Sequence, residues 1–514
     1  MTNPDPETAA PRSNDANRAV ARGIGTTVLA RIGAIVEIVA QPLYVLMFGL
    51  AGYGLYAVMW AAVTLAENIF DLGMPNAMQR TVPQATSDRE AAAALRTALL
   101  LGVGPCLVVA ALISWQAAAI APLINVAAAD AATVAPAIRL FVWALPLWAF
   151  VEITTAALRA RMLFGPEIRL RIVWEQLIRL GLAVGAYAAG WGLIGLFAAH
   201  VGSLVVTAVL CWRLLARHYD LRLIRAGPPW PNVAKATALA GISVLPSNIL
   251  TRLLTDAPAL ILNQLLPGAA GAAASGLFTI ARKLSSVVQL IRLAFVYVVA
   301  PLASSSERQD RAAVEGIFAY AFRLIFVIAL PLAVVLAAGA MPLLTLFGPQ
   351  AQAAQIAFIL LVAARAAEAI FGIALPVLQV VSAYRHQIAA PAVTLGLTIP
   401  VLLLLLSLFP PLEAVTAASA FGIVTMAAIP FVQLYRIEGM SPFQGSWARW
   451  FWGSVALALA AGALALAVTH IGGGAMLPVI PLLALAAIWV GLRMLLSPAD
   501  RQSFGRAGRA LRLA

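Results

Sequence analysis

The chain passes from a polar opening into long apolar runs that recur almost to its end, each interrupted by a few polar, Gly or Pro positions. A membrane-spanning helix takes about 20 mostly apolar residues. Windows of that length, punctuated by Gly, Pro and charge, predict fourteen helices centred near Val36, Ala66, Pro105, Leu147, Leu180, Val205, Leu250, Gln289, Leu330, Ala367, Thr398, Val424, Leu459 and Leu485, numbered here as segments 1 to 14. The opening residues, with Pro4, Asp5, Pro6, Asn14 and Asp15, predict a disordered tail, and the apolar run from Gly23 to Phe48 is too long for a signal-peptide core.

The placement of Arg and Lys tests this count, because connections that stay in the cytoplasm carry an excess of both. With the N-terminus inside, every second connection is basic: Arg80, Arg89 and Arg96; Arg159, Arg161, Arg169 and Arg171; Arg213, Arg217, Arg222, Arg225 and Lys235; Arg308 and Arg311; Arg385; Arg436 and Arg449. The tail adds Arg501, Arg506, Arg509 and Arg512, while the connections near Ala51, Asp130, Gly190, Gly271, Pro349, Pro411 and Gly473 carry neither residue type. A miscounted helix would invert everything after it. The pattern predicts a bacterial inner-membrane protein with both termini in the cytoplasm.

Composition closes off other classes. Of 514 residues, 62% are hydrophobic and 11% charged, against roughly half and about a quarter in soluble domains. No room remains for a soluble catalytic domain. The net charge of +13 is spread over the inside connections, so it encodes topology and does not point to nucleic acid. Cys106 and Cys211 each fall in an apolar segment, which argues for small core residues and not a disulfide.

A weak repeat organises the helices. Gly54-Leu55-Tyr56 follows segment 1 as Gly276-Leu277-Phe278 follows segment 7, Pro83 closes segment 2 as Pro301 closes segment 8, and Leu145-Pro146 in segment 4 matches Leu375-Pro376 in segment 10. The expected fold is all-α and integral to the membrane, with two parallel six-helix lobes plus two appended C-terminal helices. Its parts are a cytoplasmic tail (1–22), an N-terminal lobe (23–218), a cytoplasmic linker (219–235), a C-terminal lobe (236–436), a loop (437–449), segments 13 and 14 (450–496) and a basic tail (497–514).

Ionisable groups at membrane depth cost about 2.5 to 3.5 kcal/mol each on insertion scales, so they face partners or a watery cavity. The first half holds Arg31, Glu37, Glu67, Asp71, Arg139, Glu152, Glu175 and Arg179; the second holds Arg252, Asp256, Arg282, Lys283, Arg292, Arg323, Arg365 and Glu368. Residues three or four apart share a helix face, which makes stripes of Gly33, Glu37 and Gln41; of Thr64, Glu67 and Asp71; of Asn248, Arg252 and Asp256; and of Arg282, Ser285, Gln289 and Arg292. One cavity lined by segments 1, 2, 7 and 8 would accommodate all four. Glu175 with Arg179, and Arg365 with Glu368, read as structural pairs, and Arg31, Arg139 and Arg323 as side chains snorkelling to the headgroups. Glu67 and Asp71 read equally as a structural pair or a proton site. The segment 8 stripe carries cations with no acid of its own, and an Arg-rich wall suits phosphate through the planar fork of donors.

The run Leu50-Ala51-Gly52-Tyr53-Gly54-Leu55-Tyr56, then Asp71-Leu72-Gly73-Met74 and Arg80 to Pro83, resembles the opening of polysaccharide-biosynthesis flippases of the O-antigen type. Leu245-Pro246, Asp256, Ser275 to Phe278, Ala281-Arg282-Lys283-Leu284 and Pro301 extend the resemblance through segment 12. It implies the multidrug/oligosaccharidyl-lipid/polysaccharide exporter fold, a polyprenyl-diphosphate-linked oligosaccharide as cargo, and no cofactor or metal. By position, the anionic headgroup would meet Arg252, Arg282, Lys283, Gln289, Arg292 and Arg31, while Glu37, Glu67, Asp71 and Asp256 are candidates for coupling to H+ or Na+. The lipid tail would lie beside segments 13 and 14. A lipid II flippase is a close alternative, disfavoured because its Arg-Asp opening followed by Asp-Ala-Phe is absent. A cation-coupled multidrug exporter is another, kept open by Glu37 and Asp71. An enzyme is disfavoured because His200, His218, His386 and His470 are scattered without metal or base spacing.

Overall fold

The computed structural model describes residue 37 and residues 39–512 apart from 164–167, 227–229, 308–310, 382–384, 444–446, 473–476, 505–507 and 510–511. Among the described residues every regular element is helical. Of the fourteen expected centres, Val36 and the 1–22 tail lie outside the described residues, and each centre from Ala66 to Leu485 falls on a helical residue. Ten helices are long and apolar enough to cross a membrane, and Val39–Phe48 and Val479–Met494 are shorter apolar ones. The protein is therefore a multi-pass membrane protein.

The segment 8 helix, Ala269–Glu307, is the longest of the described helices at 39 residues. At about 1.5 Å per residue it is roughly 58 Å long, well beyond a hydrocarbon core of about 30 Å. It carries Arg282, Lys283 and Arg292, charges that a membrane helix turns towards partners or water.

Segments 4, 10 and 2 are each interrupted among the described residues. Segment 4 runs as Ala131–Phe141, turns at Val142 and Trp143, and resumes as Ala144–Ala160. Segment 10 does the same: Gln355–Phe371, a turn at Gly372 and Ile373, then Ala374–Val381. Pro146 and Pro376 are each the third residue of the resumed helix, where the missing N–H costs nothing because first-turn donors have no helical partner. The Leu-Pro repeat read from sequence thus marks one local backbone device used twice.

The third break is in segment 2. Leu50–Phe70 gives way to Met74–Thr81 across Asp71-Leu72-Gly73, with φ of 52° at Leu72 and 69° at Gly73. The left-handed region favours glycine, and a second constraint acts at Gly73, since a Cβ there would overlap the Gly241 carbonyl on the Pro231–Leu265 helix.

The chain forms two compact units. The N-terminal unit is Arg31–Ile280 with Leu408–Val415, and the C-terminal unit comprises Ala281–Ser407 and Thr416–Ala514. Within the first, the Leu50–Phe70 and Ala269–Glu307 helices meet at glycines. A Cβ on Gly54 would overlap the Ala272 carbonyl, and one on Gly276 would sit 2.9 Å from the Leu50 carbonyl and 3.2 Å from Gly54 Cα. Small residues at such crossings let backbones approach closely, the usual route to helix association in lipid. Within the second, Trp447–Gly472 and Val479–Met494 both pack on Arg311–Ala338.

Candidate functional site

Two groups of intramembrane charges, one in each unit, hold the stripes expected on segments 2, 7 and 8. In the N-terminal unit, segment 2 supplies Thr64, Glu67 and Asp71 on one face, as helical spacing requires. The Thr64 hydroxyl lies 3.1 Å from Asp256 Oδ2 on the Pro231–Leu265 helix, and Arg252 Nη1 lies 3.6 Å from the same oxygen. Asp71 is buried and caps the break, its Oδ1 accepting the Gly73 N–H at 2.8 Å. Glu67 is 2% exposed and its carboxylate has no hydrogen bond or ion pair among the described residues. Within electrostatic reach of it are Asp71, Glu152, Arg252 and Arg171.

The sequence pattern does not foretell the partner of Arg171. Expected in a cytoplasmic connection, it lies on the Ile168–Trp174 π-helical turn and grips Glu152 with two bonds of 2.7 and 3.2 Å. Its guanidinium also sits 4.6 Å from the Trp148 ring. Arg171 and Arg252, with Arg159 within electrostatic reach of Glu152, thus face Glu67, Asp71, Glu152 and Asp256.

In the C-terminal unit the segment 8 stripe meets segment 10. Arg292 Nη2 lies 3.0 Å from Glu368 Oε1, and Gln289 Nε2 lies 3.4 Å from it. Glu368 Oε2 accepts from Arg365 Nη1 at 2.6 Å, so one carboxylate serves two arginines. The stripe has no acid of its own, yet segment 10 provides one. Arg292 keeps a buried Nε with no hydrogen-bond partner. Its side chain passes Gly372, where a Cβ would sit 2.9 Å from Arg292 Cδ, so the glycine at the segment 10 break leaves room for it.

Other expected residues are placed as follows. Ser285 is fully buried and its hydroxyl bonds the Arg282 carbonyl of its own helix, so it is packed inward and does not extend the polar face. Arg282 and Lys283 are half-buried, and each has a partner. Glu37 is half-buried and its carbonyl accepts from Gln41 Nε2 at 3.1 Å. Arg31 lies outside the described residues. Arg323 does not snorkel: it pairs at 2.6 Å with Asp500, a nearly buried acid capping the Pro498–Ser503 helix. Glu175 and Arg179 are paired as expected. Leu459 and Leu485 on segments 13 and 14 are exposed. An apolar recess of about 400 Å³ lies elsewhere, between segments 3, 4 and 6, lined by Val103, Leu107, Trp143, Pro146, Leu147 and Val205 among others. Among the described residues no group of three or more His, Cys, Asp or Glu side chains is placed to hold a metal ion.

A bundle of apolar helices of membrane length, carrying charged faces within, defines an integral helical membrane protein. Solved structures bear this out at the level of fold. The lipid II flippase MurJ in an inward closed conformation aligns with TM-score 0.69 and 10% identity, covering 91% of this chain and 97% of that one. An inward-facing multidrug resistance MATE transporter of the MOP superfamily gives 0.66 and 16%, covering 82% and 98%. The Vibrio cholerae MATE transporter VcmN gives 0.59 and 15%, covering 84% and 100%. No curated protein matches the sequence significantly. The family model described as polysaccharide biosynthesis protein matches residues 20–307, more than half of the 514, and the chain belongs to that family.

Proposed function

We propose that this protein is a flippase. It carries a polyprenyl-diphosphate-linked oligosaccharide from the cytoplasmic to the periplasmic leaflet of a bacterial inner membrane by alternating access, for surface polysaccharide or lipopolysaccharide synthesis. The observation that carries the reading is the cationic face of the Ala269–Glu307 helix in a chain of this family. Arg282 and Arg292, with Gln289, present the donors a diphosphate needs, and Lys283 adds a cation next to Arg282. Glu368 holds Arg292 at the place a phosphate oxygen would take; a diphosphate, with more acceptor oxygens, competes for the same guanidinium and its open Nε. In this reading Glu67, Asp71 and Asp256, together with Glu37, take up H+ or Na+ to drive the cycle.

Deleting the gene in a strain without a second copy is expected to strand the lipid-linked oligosaccharide on the cytoplasmic leaflet and to abolish the matching surface glycan. Arg282→Lys and Arg292→Lys, which keep charge but lose the fork, should impair rescue at normal abundance, with Ala worse by roughly tenfold to a hundredfold, the worth of one charge-assisted hydrogen bond. Normal surface glycan in the deletion strain would rule the cargo out.

The reading includes fourteen spans with both termini inside. Single cysteines at Arg222 and Arg436 should then be labelled from the cytoplasm and one at Asp130 from outside. External labelling of either arginine position would invert the topology.

A second reading, cation-coupled export of an amphipathic small molecule, is favoured by the acidic excess around Glu67. It predicts intact surface glycan and drug sensitivity in the deletion strain.

A further inference from the structure

One buried polar group of the N-terminal unit belongs neither to the headgroup face nor to the Glu67 group. His200, on the Gly192–His218 helix, is fully buried. Its ring is walled by Trp60, Phe141 and Tyr56, at centroid distances of 4.3, 5.3 and 5.6 Å. Its Nδ1 lies 2.9 Å from the Tyr56 hydroxyl. The Ser203 hydroxyl bonds the His200 carbonyl, and Arg179 Nε lies 3.4 Å from Ser203 Oγ. Arg179, itself buried, is paired with Glu175 and faces Tyr56. Oε2 of Glu175, a residue 2% exposed, and the hydroxyl of Tyr44, a residue 1% exposed, are buried with no hydrogen-bond partner among the described residues.

We propose that the chain Glu175, Arg179, Tyr56 and His200 is a proton-binding site separate from the Glu67 group, with the proton held on the His200 imidazole. A guanidinium can only donate. Facing Arg179, the Tyr56 oxygen is therefore the acceptor, and its own proton points to His200 Nδ1. The neutral ring then carries its proton on Nε2, against the aromatic walls. Uptake of a proton at Nδ1 reverses one bond: the Tyr56 oxygen accepts on its second lone pair and the hydroxyl proton turns away. The charged ring finds Trp60 at cation–π distance, and Glu175, with an open oxygen, supplies negative charge nearby.

The opposing terms are burial and Arg179. The charged groups facing Glu175 and Arg179 are Arg171 and Glu152, paired with each other, and Glu37 from segment 1, with the Tyr44 hydroxyl beside Arg179. Histidine is the side chain whose ordinary titration range spans physiological pH, so the site responds where carboxylates alone stay ionised. The inference holds for any cargo, and its first test needs none.

The experiment is a ¹⁵N-histidine NMR titration of the intact protein in detergent, with His200→Gln to assign the signal. His200 should pass from neutral to charged between about pH 8 and 5, with a midpoint that moves in Tyr56→Phe. In liposomes, His200→Gln should flatten the pH dependence of transport while leaving transport intact at its optimum. A His200 ring that stays neutral across that range overturns the proposal, as does a His200→Gln protein slowed by one factor at every pH. Should His200→Gln fail to fold, an unmoved midpoint in Tyr56→Phe overturns it instead. Absence of oligosaccharide transport in every form would sink the flippase reading and leave the titration standing.

Discussion

Glu368→Gln lowers the unfolding free energy by about 3 to 5 kcal/mol, the cost of removing one partner from a buried ion pair. Arg292 and Arg365 both rest on this carboxylate, and their side chains are only 19% and 8% exposed. Glutamine keeps the shape and loses the charge, so two guanidinium groups are left without a counter-ion at membrane depth. Chemical unfolding in detergent reads the effect. Pairing the change with Arg365→Met should recover part of the loss, since that variant removes one of the stranded charges. A Glu368→Gln protein within about 0.5 kcal/mol of the parent, the range of an inconsequential surface change, would show that water and not Glu368 satisfies the arginines.

The second large effect is steric. Gly54→Val costs about 3 kcal/mol, the upper part of the range for overpacking, because the new side chain meets the Ala272 carbonyl, a backbone atom that cannot rotate away. Gly73→Ala fails for two reasons at once, a φ of 69° and the Gly241 carbonyl. Gly185→Ala is the control. Nothing lies within 4 Å of the added methyl on the Glu175–Ala188 helix, so the change is neutral or stabilises by about 0.5 to 1 kcal/mol. Thermal unfolding of the three variants should rank them in that order, and a harmless Gly54→Val would remove the close crossing.

Hydropathy made the helices legible because lipid demands apolar length. Pairs within one helix were legible too. Arg365 with Glu368, Glu175 with Arg179 and Arg252 with Asp256 follow from a period near 3.6, which needs no knowledge of neighbours. Partners on different helices were not. Arg292 with Glu368, Arg171 with Glu152, Arg323 with Asp500 and Tyr56 with His200 depend on how each helix is rotated and at what depth it crosses the next. Those quantities are set by contacts such as Gly73 against Gly241, invisible in a one-dimensional pattern. The break at Asp71 to Gly73 had a readable signal in Asp-x-Gly, since a short carboxylate bonding the amide two residues on is a turn device. The aromatic setting of His200 had none.

Gly54 and Gly276 occupy corresponding places in the sequence repeat, yet they touch each other. Each therefore serves as the hole into which the other's backbone fits, as in a contact between two identical surfaces. Such a contact has no slack to trade. In most packed pairs a larger residue on one side is tolerated when the other side shrinks, but here neither partner has a side chain left to give up. Among relatives that retain the crossing, these two positions should vary together only by being lost together, and compensating size exchange between them should not be found.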